Sequence, residues 1–419
     1  MSVISSSTTT NYILIDFSCS KHFSHNWTYL LGFGKFIEQG SQAASVEYWI
    51  NRAADRKKGF STGSHVQSFL LSPIYGYSRS RNLLRWTIDQ FFERGINLLD
   101  RLRWLPSARR IFLGLATIYY TQSAVRALRI RYKKSNDIVL IFPSIDGLGL
   151  HYLKRCLRKR IPINKIVIRT LQAERRGMFS IPNLVPFVEN LVLNSPDIDI
   201  RIGFEVARVG EILRMSSKAN SQIIWSPIPS YQEVSRRNSK KSDSTMSVGF
   251  LGAARKLKGF ENVPGIIQSL VSSGKKFEFY VQLAAEEWEG YQDILRNLRD
   301  LGNEIIFLEG GCSDDLLLQT ISKLDCLILP YFVEEYRNAG SGLLFHAADF
   351  GVPVVSMHGV GFDWDIQQYS LGVLCNSCEE IPDQVMVLDS KQYRDSIDNY
   401  NLARNEITAA LLNFEKKVN

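Results

Sequence analysis

An α/β fold built from two doubly wound, Rossmann-like domains is predicted by three features of the 419-residue sequence. Short apolar strands alternate with helical stretches through both halves, which is the pattern of parallel sheets. A polar stretch, 230–247 (SYQEVSRRNSKKSDSTMS), interrupts the alternation, and the pattern then restarts. The chain is also longer than one hydrophobic core usually serves. The division that follows is a first domain at 1–229, a linker at 230–247, a second domain at 248–391 and closing helices at 392–419.

In the first half, residues 12–17 (YILIDF) read as a strand, 24–39 as a helix stopped by Gly40, and 46–50 as the next strand. The turn at 18–26 lacks the glycine fingerprint of dinucleotide binding. It does place His22 and His25 at the C-terminal end of the first strand, where open parallel sheets bind ligands. Residues 66–71 form a further strand. Two long helices, 80–105 and 107–134, break at Pro106 and interleave arginines such as Arg85, Arg94, Arg103 and Arg110 with Trp86, Phe91, Trp104 and Tyr119. That composition suits an interfacial membrane contact; the alternative is a solvated basic face over an aromatic core. The strand 137–142 (DIVLIF) runs into Pro143-Ser144-Ile145-Asp146-Gly147, so Asp146 sits at a strand's C-terminal end. Strands at 164–170, which leads toward Glu174, at 199–205 and at 222–225 complete the first domain, with a helix to 216 between the last two.

The second half has candidate strands at 248–251, 277–283, 304–308, 326–329, 354–357 and 372–375. Helices are expected near 261–273, 286–300, 313–321, 342–350 and 363–370, with the tail 392–417 as one or two closing helices. Asp363 and Asp365 read as helix-start acids.

Charge divides the chain. Residues 1–246 carry 36 Lys+Arg against 17 Asp+Glu, and residues 247–419 carry 14 against 25. A basic half points to a negative partner, such as an anionic membrane surface or an anionic substrate. No RNP, helix-turn-helix or zinc-finger pattern supports nucleic acid. The N-terminus has no basic segment before an apolar one, and the longest uncharged apolar run, 111–120, is too short to span a bilayer. Cys375 and Cys378 form a CxxC with no second pair, which argues against zinc. Six scattered cysteines fit reduced thiols, so the expectation is a cytoplasmic protein that needs no metal.

Two turns carry the chemistry. Ala339-Gly340-Ser341-Gly342 connects a strand to a helix with Ser341 as N-cap. Glycine permits close approach of a ligand, and the helix start points free N–H groups and a positive dipole end at it. Gly252 and Gly259 bracket Arg255, Lys256 and Lys258 in the turn after the first strand of the second domain. Cations there meet a diphosphate with charge-assisted bonds. Both turns fall at C-terminal strand ends of one sheet and so face one ligand.

These motifs carry a resemblance. The two-domain plan, the G-x-x-R-x-x-K-G turn and the run S-G-L-L-F-H-A-A-D-F-G-V-P-V-V together resemble the GT-B glycosyltransferases, and among them family 4, the group 1 transferases. The likeness is specific over 247–376 and architectural before that. It implies two domains facing a cleft, a nucleotide-diphosphate sugar as donor, and a glycan or lipid-linked acceptor. The reaction implied is hexosyl transfer that retains configuration, within polysaccharide or glycoconjugate synthesis. Carried over by position, the donor-binding set is Gly252, Arg255, Lys258, Tyr331, Tyr336, Ser341, Gly342, Leu343 and His346. The sequence departs from the family at two glutamates spaced eight apart, where Asn338 and His346 stand. A neutral imidazole still offers one donor and one acceptor to a ribose. A base for the acceptor hydroxyl, should the reaction use one, would be Asp146 first, then His25 or Glu174. The transferase would be peripheral on the inner membrane face; alternatives on the same fold are a nucleotide-sugar epimerase or phosphorylase, and a degenerate transferase acting as a partner or scaffold.

Overall fold

The computed structural model describes residues 10–16, 25–40, 44–51, 65–70, 138–143, 163–170, 189–216, 222–230 and 245–412, apart from 285–286, 303–304 and 311. Scattered positions at 125–132, 153, 157 and 186 are also described. The chain divides into two units. Met1–Phe204, Ile212–Ser226 and Ala409–Asn419 form the first, and Glu205–Glu211 with Pro227–Thr408 form the second.

The first unit holds a seven-stranded sheet: β1 (Thr10–Asp16), β2 (Ala44–Asn51), β3 (His65–Leu70), β4 (Ile138–Phe142), β5 (Lys165–Thr170), β6 (Asp199–Phe204) and β7 (Ile223–Trp225). Its order is β3-β2-β1-β4-β5-β6-β7, and every pairing is parallel. The five residues of β4 are all buried, as expected of a central strand covered on both faces. Helix α1 (His25–Gly40) lays Leu30, Phe33 and Ile37, one face at helical spacing, against Tyr12, Leu14, Val46, Tyr48 and Ile141. Gly34 lets α1 approach, since a side chain there would collide with Tyr48. Arg169, fully buried at the end of β5, donates to the Ser226 carbonyl at 2.6 Å and lies 4.6 Å from the Tyr29 ring centre. Helix α2 (Ala207–Ser216) follows β6. The arginine- and aromatic-rich stretch expected as helices lies outside the described residues over 80–124, and its described positions near 125–130 are helical.

The second unit holds six parallel strands: β8 (Thr245–Phe250), β9 (Lys276–Gln282), β10 (Ile305–Leu308), β11 (Cys326–Leu329), β12 (Val354–Met357) and β13 (Gly372–Cys375). The order is β10-β9-β8-β11-β12-β13, so the chain builds one way from β8, returns to β11 and builds the other way. A switch point between β8 and β11 is where such sheets bind ligands, beyond the C-terminal strand ends. The helices are α3 (Val263–Ser272), α4 (Tyr291–Asp300), α5 (Asp314–Ile321), α6 (Val333–Tyr336), α7 (Gly342–Asp349), α8 (Asp363–Tyr369), α9 (Ile381–Val387) and α10 (Arg394–Leu412).

Two expectations shift, and the tail resolves within its own. Strand β8 starts at Thr245, inside the stretch read as linker. Its polar residues are satisfied: the Ser247 N–H donates to Asp325 Oδ2 at 2.8 Å and its hydroxyl to Glu278 Oε2 at 3.1 Å. The helix expected over 286–300 begins only at Tyr291, because Gly290 turns to φ 85°. The tail forms one α-helix, α10, with Ile397, Tyr400, Arg404 and Thr408 as its buried stripe in the second unit, while Ala409, Leu411 and Leu412 belong to the core of the first. No described helix is long and apolar enough to cross a membrane.

Candidate functional site

The site is built from the two loops that leave β8 and β11. Chain leaving β8 reaches Gly252 at φ 87°, a conformation that favours glycine. A side chain there would also meet Leu343 Cδ1 and Lys258 Nζ. Gly252 donates its N–H to Gln282 Oε1 at 2.6 Å, and Trp288 Nε1 donates to the Ala254 carbonyl at 3.2 Å. The turn then forms a 3-10 stretch, Lys256–Lys258, ended by Gly259 at φ 68°. Lacking a side chain, Gly259 packs against the Pro330 carbonyl just beyond β11. Both glycines are therefore needed to bring the basic turn onto β11 and α7.

Lys258 folds back over this turn. Its ammonium donates to the Gly252 carbonyl at 3.2 Å and lies 5.4 Å from the Tyr331 ring centre. Two of its three donors remain for a ligand. Burial first, then the charge of Arg255, pull its pKa down to about 8. Arg255 itself is exposed. A pocket of ≈ 20 Å³, room for about one water, opens beside the ammonium between Phe250, Gly252, Gln282, Pro330 and Tyr331.

Tyr331 is buried, with its ring 4.3 Å from Tyr336 and 5.8 Å from Phe362. Burial raises its phenol pKa and the neighbouring Tyr336 raises it further, against a hydrogen bond with Ser341 and the charge of Arg255. Tyr336 is pushed up to about 12 by burial, again opposed by Arg255. Both phenols therefore stay protonated at neutral pH.

Ser341 is the N-cap of α7, as the spacing predicts, in an extended conformation, but its side chain makes no capping bond. Ser341 instead acts on the Tyr331 phenol, whose pKa it lowers. The first amides of α7 are thus left without a side-chain cap, next to Leu343, which touches the space at Gly252. Gly252, Arg255, Lys258, Tyr331, Tyr336, Ser341, Gly342 and Leu343 form one cluster.

His346 is set differently. It is enclosed in α7, where burial lowers its pKa, and the charges acting on it are Asp349 and Arg404. Its Nδ1 has no hydrogen-bond partner among the described residues. Asn338 is half-buried in the loop before α7. Of the candidate bases, Asp146 and Glu174 lie outside the described residues; His25 begins α1, and its side chain lies outside them too. Gln282 was not singled out from the sequence, because nothing marks a strand-end glutamine as the partner of a distant glycine amide. Asp365 lies in the first turn of α8, as the sequence predicts, and its buried carboxylate also accepts a hydrogen bond from the Tyr400 hydroxyl at 3.1 Å.

No protein-family model matches the sequence, and no curated protein matches it. Solved structures do match over nearly the whole chain. Sucrose-phosphate synthase from Thermosynechococcus elongatus is similar at 12% identity and TM-score 0.61, covering 96% of this chain and 94% of that one. The fold is GT-B. The same GT-B architecture relates the chain to the E. coli trehalose-6-phosphate structure bound with UDP-2-fluoro glucose, at 10% identity and TM-score 0.60, over 98% and 100% of the two chains. The lipopolysaccharide outer core galactosyltransferase WaaB matches at 10% identity and TM-score 0.57, over 96% and 98%. These likenesses show the fold that the sequence resemblance implies.

Proposed function

We propose that the protein is a glycosyltransferase whose second unit grips the diphosphate of a nucleotide-sugar donor. One observation carries this reading. Among the described residues the Lys258 ammonium is drawn out of water with no carboxylate partner, beside a helix start whose amides lack a side-chain cap. Both features are unfavourable in the free protein and become favourable when a phosphate arrives. Lys258, Arg255 and the amides of Ser341, Gly342 and Leu343 would then stabilise the charge on the departing diphosphate, the largest electrostatic demand of sugar transfer. With that charge met by the chain, the transfer needs no metal. His346, whose Nδ1 has no partner among the described residues, would meet the nucleoside.

The finer proposal is hexosyl transfer with retention to a glycan or lipid-linked acceptor, with Asp146, His25 or Glu174 nearest the acceptor hydroxyl. Support comes from the similarity to sucrose-phosphate synthase and WaaB and from the basic first half. That half would dock on an anionic membrane face. Vesicle flotation tests the docking: the protein should rise with anionic vesicles and stay down with neutral ones, and equal behaviour removes the membrane from the proposal.

The donor is tested by a thermal-shift panel of UDP, GDP, ADP and their sugars. A nucleotide at 100 times its dissociation constant adds about 2.7 kcal/mol of stability. One member should stabilise the protein, and Gly342→Asp, which sets a carboxylate at the helix start, should abolish the shift. A flat panel would favour the scaffold reading.

A further inference from the structure

Gly252 is where the chain leaves the second sheet, and both polar groups of its backbone are taken by side chains. The ladder between β8 and β9 ends at Phe250, opposite Val281. At Gly252 the backbone turns away with φ 87°, and a buried N–H that has left its ladder needs another acceptor. Gln282, the last residue of β9 and 6% exposed, supplies it: the Gly252 N–H donates to Gln282 Oε1 at 2.6 Å. On the other side, the Gly252 carbonyl accepts from Lys258 Nζ at 3.2 Å. The N–H fixes which way the Gln282 amide faces, so its Nε2 is the donor to Cys312 Sγ at 3.4 Å. Gln282 and Lys258 line the same ≈ 20 Å³ pocket.

Satisfying the amide does not by itself require glutamine. A glutamate would accept from the same N–H, and more strongly. The difference is charge. A carboxylate at 282 would share the pocket with the Lys258 ammonium and serve as its counter-ion. The other groups around that ammonium supply no negative charge: Arg255 on the same turn is a cation, and burial keeps the Tyr331 phenol protonated.

We propose that Gln282 is a positioning residue: it fixes the Gly252 peptide so that its carbonyl holds the Lys258 ammonium, and its neutrality keeps that ammonium for an anion from outside. That the anion is a nucleotide diphosphate rests on the proposed function; the positioning does not.

Titration of Lys258 in the nucleotide-free protein, followed by NMR of labelled lysine side chains, reads the arrangement. The signal is assigned by its loss in Lys258→Met. Wild type should titrate at about 8. Gln282→Glu keeps the acceptor for Gly252, so it should fold, and its midpoint should rise by about one unit or more, because a nearby carboxylate favours the ammonium. Gln282→Met removes the acceptor and frees the peptide. The half-buried lysine should then turn to water, and its midpoint should return toward the ordinary lysine value. A Gln282→Glu midpoint equal to that of wild type would overturn the neutrality. A Gln282→Met midpoint that stays near 8 or falls would overturn the positioning. With nucleotide present, Gln282→Glu should bind about tenfold more weakly than wild type or worse, since the anion must displace a carboxylate. The titration involves no nucleotide, so a flat nucleotide panel leaves it standing, and an unmoved titration leaves the donor site standing.

Discussion

Arg404 on α10 and Lys258 in the turn after β8 are both cations drawn out of solvent in the second unit, and the chain neutralises them in different ways. Arg404 is 0% exposed. It donates to the Ile228 carbonyl at 2.7 Å, to Asp349 Oδ1 at 3.0 Å and to Asn401 Oδ1 at 2.8 Å, and it lies over the Phe345 and Tyr400 rings. Lys258 has one carbonyl at 3.2 Å, a ring face, and a second cation as its charged neighbour. A cation whose counter-ion comes from the fold is structural. A cation without one is costly by itself and is spared that cost by an anion from outside.

The comparison breaks most visibly at Arg404. Arg404→Leu leaves Asp349 buried and unpaired, and should cost about 3–5 kcal/mol in a urea melt. Adding Asp349→Leu should recover a large part of that loss, because an apolar pair replaces a broken ionic one. Recovery of nothing would mean that Arg404 acts through Ile228 and Asn401 rather than through its carboxylate.

A smaller effect belongs to Lys258 and has the opposite sign. Its pKa is lowered to about 8 from the ordinary lysine value of 10.5. Between those values the unfolded chain binds the proton that the folded one has released, so this group makes stability rise with pH across that window. Because the side chain is partly exposed, the gain is discounted to about 1–2 kcal/mol.

Legibility in the sequence follows the same line. Strands β11 and β12 match their apolar runs because they are buried between layers, and the half-buried edge strand β13 matches its run too. Gly252 and Gly259 were visible because positive φ and tight approach both demand glycine. Ser341 was visible as an N-cap, but its use by Tyr331 was not, since that depends on how two loops meet. The lack of a carboxylate at Lys258 is likewise a property of the folded turn, not of its spacing. Arg404 hid in the tail because an arginine in an amphipathic helix is ordinarily on the wet face. The limit was reached wherever a residue's role is set by a partner from another segment.

The melting temperature of Lys258→Met, measured beside wild type with and without UDP, GDP and ADP, bears on the central claim most directly. Without nucleotide the variant should melt higher, because a charge that is half-buried without a counter-ion among the described residues is gone. With nucleotide it should show a much reduced shift, as expected from losing a charge-assisted bond worth about 1.5–3 kcal/mol, or roughly tenfold to a hundredfold in affinity. A variant that melts lower than wild type without ligand, or that keeps the full nucleotide shift, would contradict the assignment of Lys258 to the diphosphate.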